Sequence, residues 1–236
     1  MNVVDIVILA IVAVSVIYGF YHGFVQTVLS VACCLAAIVL AFNFGPRLSG
    51  VLRSNQGVTS TLATYTDAVA RVGDYELAST PVEGMSENVV EQVLSSVKLP
   101  DSIAAILRSN LTSDAFAGTG LTTVNDYVSN TVVAAAVNVL CFVLCFIAAY
   151  AVLSVVVSLI KHVFRFPLLK AMDWLAGGAF GLARGILLVY VLFLLVPVVS
   201  TILPLDGLDA LLDQSRLAGL FSSDGFFAGV IAGHLG

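Results

Sequence analysis

Three charged side chains in or beside long apolar runs are the residues best suited to chemistry: Arg184, Asp5 and Asp173. A guanidinium at the bilayer centre costs about 2.5–3.5 kcal/mol on insertion scales, so we expect Arg184 to face protein or water. There it would bind an anionic solute or pair with a carboxylate, for which Asp5 is the natural candidate. We therefore name all three as transport-path candidates. Two other interpretations stay open: Arg184 snorkels to the interface if its span begins near Ile186, and Asp173 caps its own helix.

Catalysis and metal binding find little support in the sequence. An intramembrane protease needs a nucleophile beside a positioned base, or two aspartates in facing spans, and no histidine lies in the middle of an apolar run. Neither a phosphate-binding loop nor a metal motif occurs in the sequence. The cysteines lie inside apolar runs and are expected to be free thiols that pack like small hydrophobes; they are Cys33, Cys34, Cys141 and Cys145. We expect no enzyme activity, no cofactor and no metal.

The composition indicates a protein that partners with a lipid bilayer. Of its residues 59% are hydrophobic and 11% charged, and the mean hydropathy is +1.04, whereas soluble domains carry about 25% charged residues. The formal net charge of −5 shows that the chain is not basic overall, so its composition gives no indication of nucleic-acid binding. The chain is also too apolar to belong to the disordered class.

Four apolar runs are long enough to span a bilayer, namely residues 3–20, 24–44, 131–160 and 175–203. The short break at residues 21–23 predicts an antiparallel hairpin, in which Gly19 and Gly23 let the turn close. Pro46 is expected to end the second run, and the third is long enough to tilt or to protrude from the bilayer. The fold class predicted is an all-α membrane protein, with about four transmembrane helices in two hairpins and a helical extramembrane insert.

These runs divide the chain into four parts: a first transmembrane hairpin (1–46), an acidic amphipathic helical insert (47–130), a second hairpin (131–203) and a C-terminal tail (204–236). In the insert, one predicted helix has an apolar face that contains Val90 and Val93, and the next contains Ile103 and Leu107. Such helices either lie on the membrane surface or cap the bundle.

Basic residues near the span ends set the predicted orientation. Lys161, Arg165 and Lys170 lie in the third connection, whereas Arg47 and Arg53 follow the second span. This bias places both termini and the insert outside, with the first and third connections in the cytoplasm.

Small and polar residues inside the spans predict how the helices meet. Gly177, Gly181 and Gly185 recur at every fourth position, so they lie along one helix face that lets a neighbouring backbone approach closely. That face serves contact within the chain or a homo-oligomer, and both alternatives stay open. The polar groups inside the spans are expected to bond across helices; they are Gln26, Asn138 and Ser154.

The motifs of the spans resemble those of the colicin V production protein family, the CvpA-like bacterial inner-membrane proteins. One match is Asp5 followed by Gly23-Phe24-Val25 and Leu29-Ser30. The more specific match has the form Asp-x-x-x-Gly-x-x-x-Gly-x-x-Arg-Gly and consists of Asp173, Gly177, Gly181, Arg184 and Gly185. The chain departs from the family at His22, Gln26 and Thr27, where many members carry charge, and its insert is longer than that of compact members.

The resemblance implies a multi-pass inner-membrane protein required for producing or secreting the peptide antibiotic colicin V, and linked to envelope integrity. Some classifications group the family loosely with small-solute exporters. Two mechanisms stand as hypotheses. In the first, the bundle forms a small-solute transport or channel path that Arg184 lines. In the second, the chain is a membrane scaffold or assembly factor that acts through helix contacts at the glycine face and transports nothing.

Overall fold

The computed structural model describes residues 2–54, 57, 75–83, 85–97, 99, 101–113, 120–161, 170–197, 199, 211–212 and 214–221. Its helices are α1 (Val3–Arg53), α2 (Tyr75–Ser79), α3 (Glu87–Ser96), α4 (Asp101–Thr112), α5 (Val124–Lys161), α6 (Lys170–Phe193) and α7 (Ala218–Phe221). An isolated antiparallel bridge joins Pro81 to Thr123. The all-α fold class is confirmed.

The chain divides into two compact units. Unit 1 comprises Met1–Gly45, Phe142–Leu194 and Gly207–Ser223, and unit 2 comprises Pro46–Cys141, Leu195–Asp206 and Asp224–Gly236. The predicted connection at 162–169 with its Arg165, residues 58–74 of the insert and most of the predicted tail lie outside the described residues.

Three helices are long and apolar enough to cross a membrane: Val3–Arg53, Val124–Leu159 and Asp173–Phe193. Between 22% and 33% of their most apolar windows is buried inside the protein. Large apolar side chains on all three are exposed, among them Val14, Val39, Ile147, Val152 and Leu175. So much exposed apolar surface would promote aggregation in water, and it suits contact with lipid. The chain is therefore a membrane protein.

Helix α1 is broken at Gly23, whose φ of 76° and ψ of 174° are not helical. We call residues 3–22 segment α1a and residues 24–53 segment α1b. A straight helix of this length would reach roughly 76 Å at 1.5 Å per residue, far more than the ~30 Å hydrocarbon core. The break therefore falls where the sequence predicts a turn between two spans.

Segment α1a runs antiparallel to α6. Near its end, Gly19 lies against Gly177, and about two turns earlier Val12 lies against Gly185. Later residues of α1a therefore lie beside earlier residues of α6, as in an antiparallel pair.

Segment α1b runs in the opposite direction, parallel to α6. Phe24, its first residue, contacts Asp173 near the start of α6. Ten residues later in α1b, Cys34 lies close enough to Arg184, eleven residues later in α6, to interact with it electrostatically. The two segments are thus antiparallel to each other, as the predicted hairpin requires. The count of four crossings stays a prediction.

The expectation that Pro46 ends the second span is wrong, because α1 continues through it to Arg53. A proline in a helix loses one backbone hydrogen bond and crowds the residue before it. That preceding residue is Gly45, which has no Cβ to be crowded, and prolines are tolerated in apolar helices of membrane proteins.

The apolar run at 175–203 is not one helix, because α6 ends at Phe193 and a turn follows at residues 194–195. Pro197 accounts for this end, since it has no N–H to donate to the carbonyl oxygen of Phe193, four residues earlier. Helix α5, by contrast, has 38 residues and extends roughly 57 Å. That exceeds the bilayer core, so a protruding end is required.

The amphipathic helices of the insert bury their apolar faces inside unit 2. Val90 and Val93 of α3 and Ile103 and Leu107 of α4 are at most 2% exposed, and α3 packs against α4. An ion pair joins Glu91 to Arg108, whose side chains are about half exposed, so it adds little stability. These faces are occupied by protein and are not available to a membrane surface.

Cysteine labelling on either side of α1b tests whether this segment crosses the membrane. In a variant whose native cysteines are replaced by alanine, we expect Tyr21→Cys to react with an impermeant maleimide only from the cytoplasm. We expect Ser86→Cys to react only from outside. Tyr21 is 85% exposed and Ser86 is exposed, so both should be accessible. Labelling of both positions from the same side would contradict the four-span topology.

Candidate functional site

Segment α1a and α6 meet through their backbones. A Cβ built at Gly181 would lie 2.6 Å from the carbonyl oxygen of Ser15, and one at Gly185 would lie 3.0 Å from the Cα of Val12. A Cβ at Gly177 would likewise overlap the backbone of α1a. The Ser15 hydroxyl donates to the carbonyl oxygen of Gly181 at 2.8 Å. Within the chain, the glycine face of α6 is therefore occupied by α1a.

Asp173 holds the start of α1b. Its Oδ1 accepts a hydrogen bond from the backbone N–H of Phe24 at 2.7 Å, one of the unpaired donors at a helix start. A carboxylate is also favoured there by the helix dipole. A Cβ at Gly23 would collide with this carboxylate. Asp173 thus caps the neighbouring helix and fixes the turn between α1a and α1b.

The carboxylate of Asp5 is hydrogen-bonded to the C-terminal part of unit 1. It forms no ion pair with Arg184. Its carboxylate is 3% exposed and accepts hydrogen bonds from the Ser215 hydroxyl at 2.5 Å and the Leu217 N–H at 3.1 Å. The backbone N–H of Asn2 donates to it at 2.9 Å. Ser215 and Leu217 therefore dock the C-terminal part of unit 1 against Asp5, a contact that the sequence did not predict.

Amide hydrogen–deuterium exchange measures the loss of the contact between Asp5 and residues 215–217. Asp5→Asn makes the acceptor neutral and so weakens its hydrogen bonds, and Ser215→Ala removes the hydroxyl that donates to Asp5 and accepts from the Ala218 N–H. We therefore expect the Leu217 and Ala218 amides to exchange with deuterium about tenfold faster in both variants. Ser95→Ala, an exposed serine in α3, is the control and should leave that exchange unchanged. Unaltered exchange in both docking variants would contradict the role assigned to Asp5.

Arg184 lies in the middle of the α6 span and faces protein. Its guanidinium carbon is 4.6 Å from the ring centre of Tyr18 in α1a and 5.9 Å from that of Tyr150 in α5. Its Nε is buried and has no hydrogen-bond partner among the described residues. Ring faces attract a cation, but they offer no lone pair to its N–H groups. The hydrogen-bonding capacity of the Arg184 Nε is therefore unused among the described residues.

A polar cavity of about 410 Å³ lies beside these two tyrosines. Its lining comes from three segments of unit 1: Tyr18 of α1a, Gln26, Ser30 and Cys33 of α1b, and Tyr150, Ser154, Val155, Val157 and Ser158 of α5. The volume falls within the usual range for small-molecule sites. Tyr18 and Tyr150 therefore connect the cavity to Arg184.

Further contacts hold Tyr18 in place at the cavity wall. The Gln26 side-chain amide lies 3.5 Å from the Tyr18 hydroxyl, to which it donates. The imidazole of His22 stacks on the Tyr18 ring at 3.8 Å between centres. Tyr18 is thus packed between His22 and Arg184.

Of the polar residues expected to bond across helices, Gln26 and Asn138 do so and Ser154 does not. Asn138 in unit 2 accepts hydrogen bonds from Ser49 at 2.5 Å and from Arg53 at 2.9 Å. Ser154 donates to Ala151 of its own helix at 2.8 Å. A serine hydroxyl can always reach a carbonyl one turn back, which explains the difference.

Sequence reasoning did not assign the cavity, although a signal was present. Tyr150, Ser154 and Ser158 recur at every fourth position in the charge-free run 131–160, and Gln26 and Ser30 have the same spacing. That spacing puts each set on one helix face. None of the three transport-path candidates lines the cavity directly. Arg184 borders it through the tyrosines, whereas Asp5 and Asp173 are engaged elsewhere.

No group of histidine, cysteine and carboxylate side chains among the described residues is arranged to hold a metal ion. Among known proteins, a family model described as "Colicin V production protein" matches residues 4–72 and 100–233. These ranges include Asp5, Gly23, Asp173 and Arg184, and they cover most of the chain. Searches of curated proteins and of solved structures returned no match.

Proposed function

The chain belongs to the colicin V production protein family, and from that premise we propose that unit 1 is a path by which small polar solutes cross the bacterial inner membrane. In this proposal the transport supports toxin production or secretion, or homeostasis of the envelope. The chain is a multi-pass protein of that membrane and has no enzymatic activity.

The polar cavity is the observation that carries this proposal. Helices that only needed to pack in lipid would bring apolar and small side chains together. Here hydroxyl and amide groups from three segments converge on a space large enough for a small solute. Polar groups inside membrane spans typically mark solute pathways.

The alternative is a scaffold that acts through helix contacts without transport. Such a scaffold would form a homo-oligomer through the helix face that contains Gly177, Gly181 and Gly185. In the single chain α1a already covers that face, so a second copy would have to displace it. This occupancy favours the transport proposal.

Filling the cavity tests the proposal. The purified chain is reconstituted in liposomes, and the flux of a panel of small solutes is measured at confirmed insertion. Ser154 is exposed and lines the cavity, so Ser154→Trp should reduce flux about tenfold or more, as expected when a bulky side chain blocks a binding space. Val152→Trp is the matched control, because Val152 is 65% exposed on the same helix and lies outside the lining. Absence of flux across the panel, or equal flux in the two variants, would contradict the proposal.

A further inference from the structure

We propose that the solute held in this cavity is a small carboxylate and that Arg184 recognises its charge. The inference rests on the proposed function, since it names the substrate class of the same site. It starts from the charge balance of unit 1.

Arg184 has no acidic partner in the part of unit 1 that the structure describes. Its contacts are the ring faces of Tyr18 and Tyr150. Asp173 is bonded to the start of α1b, and Asp5 is bonded to Ser215 and Leu217. A cation removed from water needs a compensating charge or hydrogen bonds, and aromatic faces supply only part of this. The arrangement therefore leaves a place for an anion.

The cavity offers an anion the donors it needs. Its lining includes the hydroxyl or amide side chains of Tyr18, Gln26 and Ser30 and contains no carboxylate. Such groups donate hydrogen bonds to anions, and a solute cation there would be repelled by Arg184. The polar lining and the positive charge of Arg184 thus both favour a negatively charged solute.

The donor geometry of arginine favours a carboxylate. A guanidinium binds the two oxygens of a planar carboxylate with two parallel hydrogen bonds. Arg184 lies behind Tyr18 and Tyr150 and outside the cavity lining. A carboxylate must therefore enter between these two rings to reach the Nε of Arg184, which is buried without a described partner. The cavity volume of about 410 Å³ suits a small molecule.

Ligand protection of an introduced thiol tests this inference in detergent, without any transport step. In a cysteine-free background, Ser154→Cys is labelled with a maleimide in the presence of benzoate, benzamide or inorganic phosphate. Benzoate and benzamide have the same shape and differ in charge. We expect benzoate to slow labelling about tenfold, the size of one charge-assisted interaction, and benzamide to have little effect. Labelling of Val152→Cys, outside the cavity, should not respond to benzoate.

Arg184→Gln should remove the protection by benzoate, and Arg184→Lys, which keeps the charge without the fork, should retain part of it. Arg216→Gln is the matched control, because Arg216 is an exposed arginine away from the lining. If Arg184→Gln does not remain monodisperse in detergent, Arg184→Lys decides, and full protection in that variant contradicts recognition by the fork.

The inference is overturned if benzamide protects as well as benzoate, if benzoate does not protect, or if its protection survives Arg184→Gln. Protection by phosphate alone overturns the assignment to a carboxylate. The outcomes also separate this inference from the proposed function. Protection by benzoate without flux in liposomes would contradict transport only, and flux of neutral solutes without benzoate protection would contradict the carboxylate only.

Discussion

Gly181→Leu is expected to abolish the folded helix bundle, whereas Gly50→Leu is tolerated. A Cβ at Gly181 would lie 2.6 Å from the carbonyl oxygen of Ser15 and 3.0 Å from the Cα of Val16, both backbone atoms. Backbone cannot rotate away as a side chain can, so the two helices must separate. Gly50 has nothing within 4 Å of such a Cβ, which makes it the matched control.

Size-exclusion chromatography in detergent and thermal unfolding measure this effect. Gly181→Leu should give no monodisperse species, and the milder Gly181→Ala should lower the free energy of unfolding by about 1–3 kcal/mol, the usual cost of overpacking. Gly50→Ala should be neutral or stabilising by up to about 1 kcal/mol, because alanine is the better helix former. Equal stability of the Gly181 variants and the wild type would refute the backbone contact between α1a and α6.

Gly23→Ala should destabilise the protein more than the same change at a second glycine with positive φ. Gly23 has a φ of 76° and no room for a Cβ beside Asp173, whereas Gly120 has a φ of 83° and open space around it. Backbone strain of this kind costs about 1–3 kcal/mol, and it applies at both positions. The excess at Gly23 therefore measures the collision with the carboxylate.

A double-mutant cycle isolates that excess. Asp173→Ala alone loses the hydrogen bond to Phe24, which typically costs about 0.5–2 kcal/mol for a helix cap. In Gly23→Ala/Asp173→Ala the collision is gone, so the two losses should sum to more than the loss in the double variant. Simple additivity, or equal effects of Gly23→Ala and Gly120→Ala, would show that Asp173 does not constrain the turn.

Local patterns allowed much of the membrane fold to be predicted. The length of an apolar run and the four-residue spacing of glycines are readable within one segment, so the helices, the turn at Gly23 and the packing face of α6 could all be anticipated. The end of a helix depends on its surroundings as well. Pro46 is tolerated after Gly45, whereas α6 ends four residues before Pro197.

The candidate site was harder to predict, because its contacts join residues far apart in the chain. Asp5 has Ser215 as its partner, and Asp173 has the Phe24 amide, and no spacing rule links either pair. The cavity lies between α1 and α5 and needs both faces at once. Arg184 stood out because a charge in a long apolar run is conspicuous, but its aromatic neighbours required the tertiary structure.

The flux of a small carboxylate through proteoliposomes that contain Arg184→Gln tests the central claim most directly. If the cavity beside Arg184 is the conduit, this variant should insert and assemble normally while its carboxylate flux falls about tenfold, the loss expected for one interaction with a charged group. Wild-type carboxylate flux in Arg184→Gln, at equal insertion, would contradict the assignment of the conduit to the cavity beside Arg184.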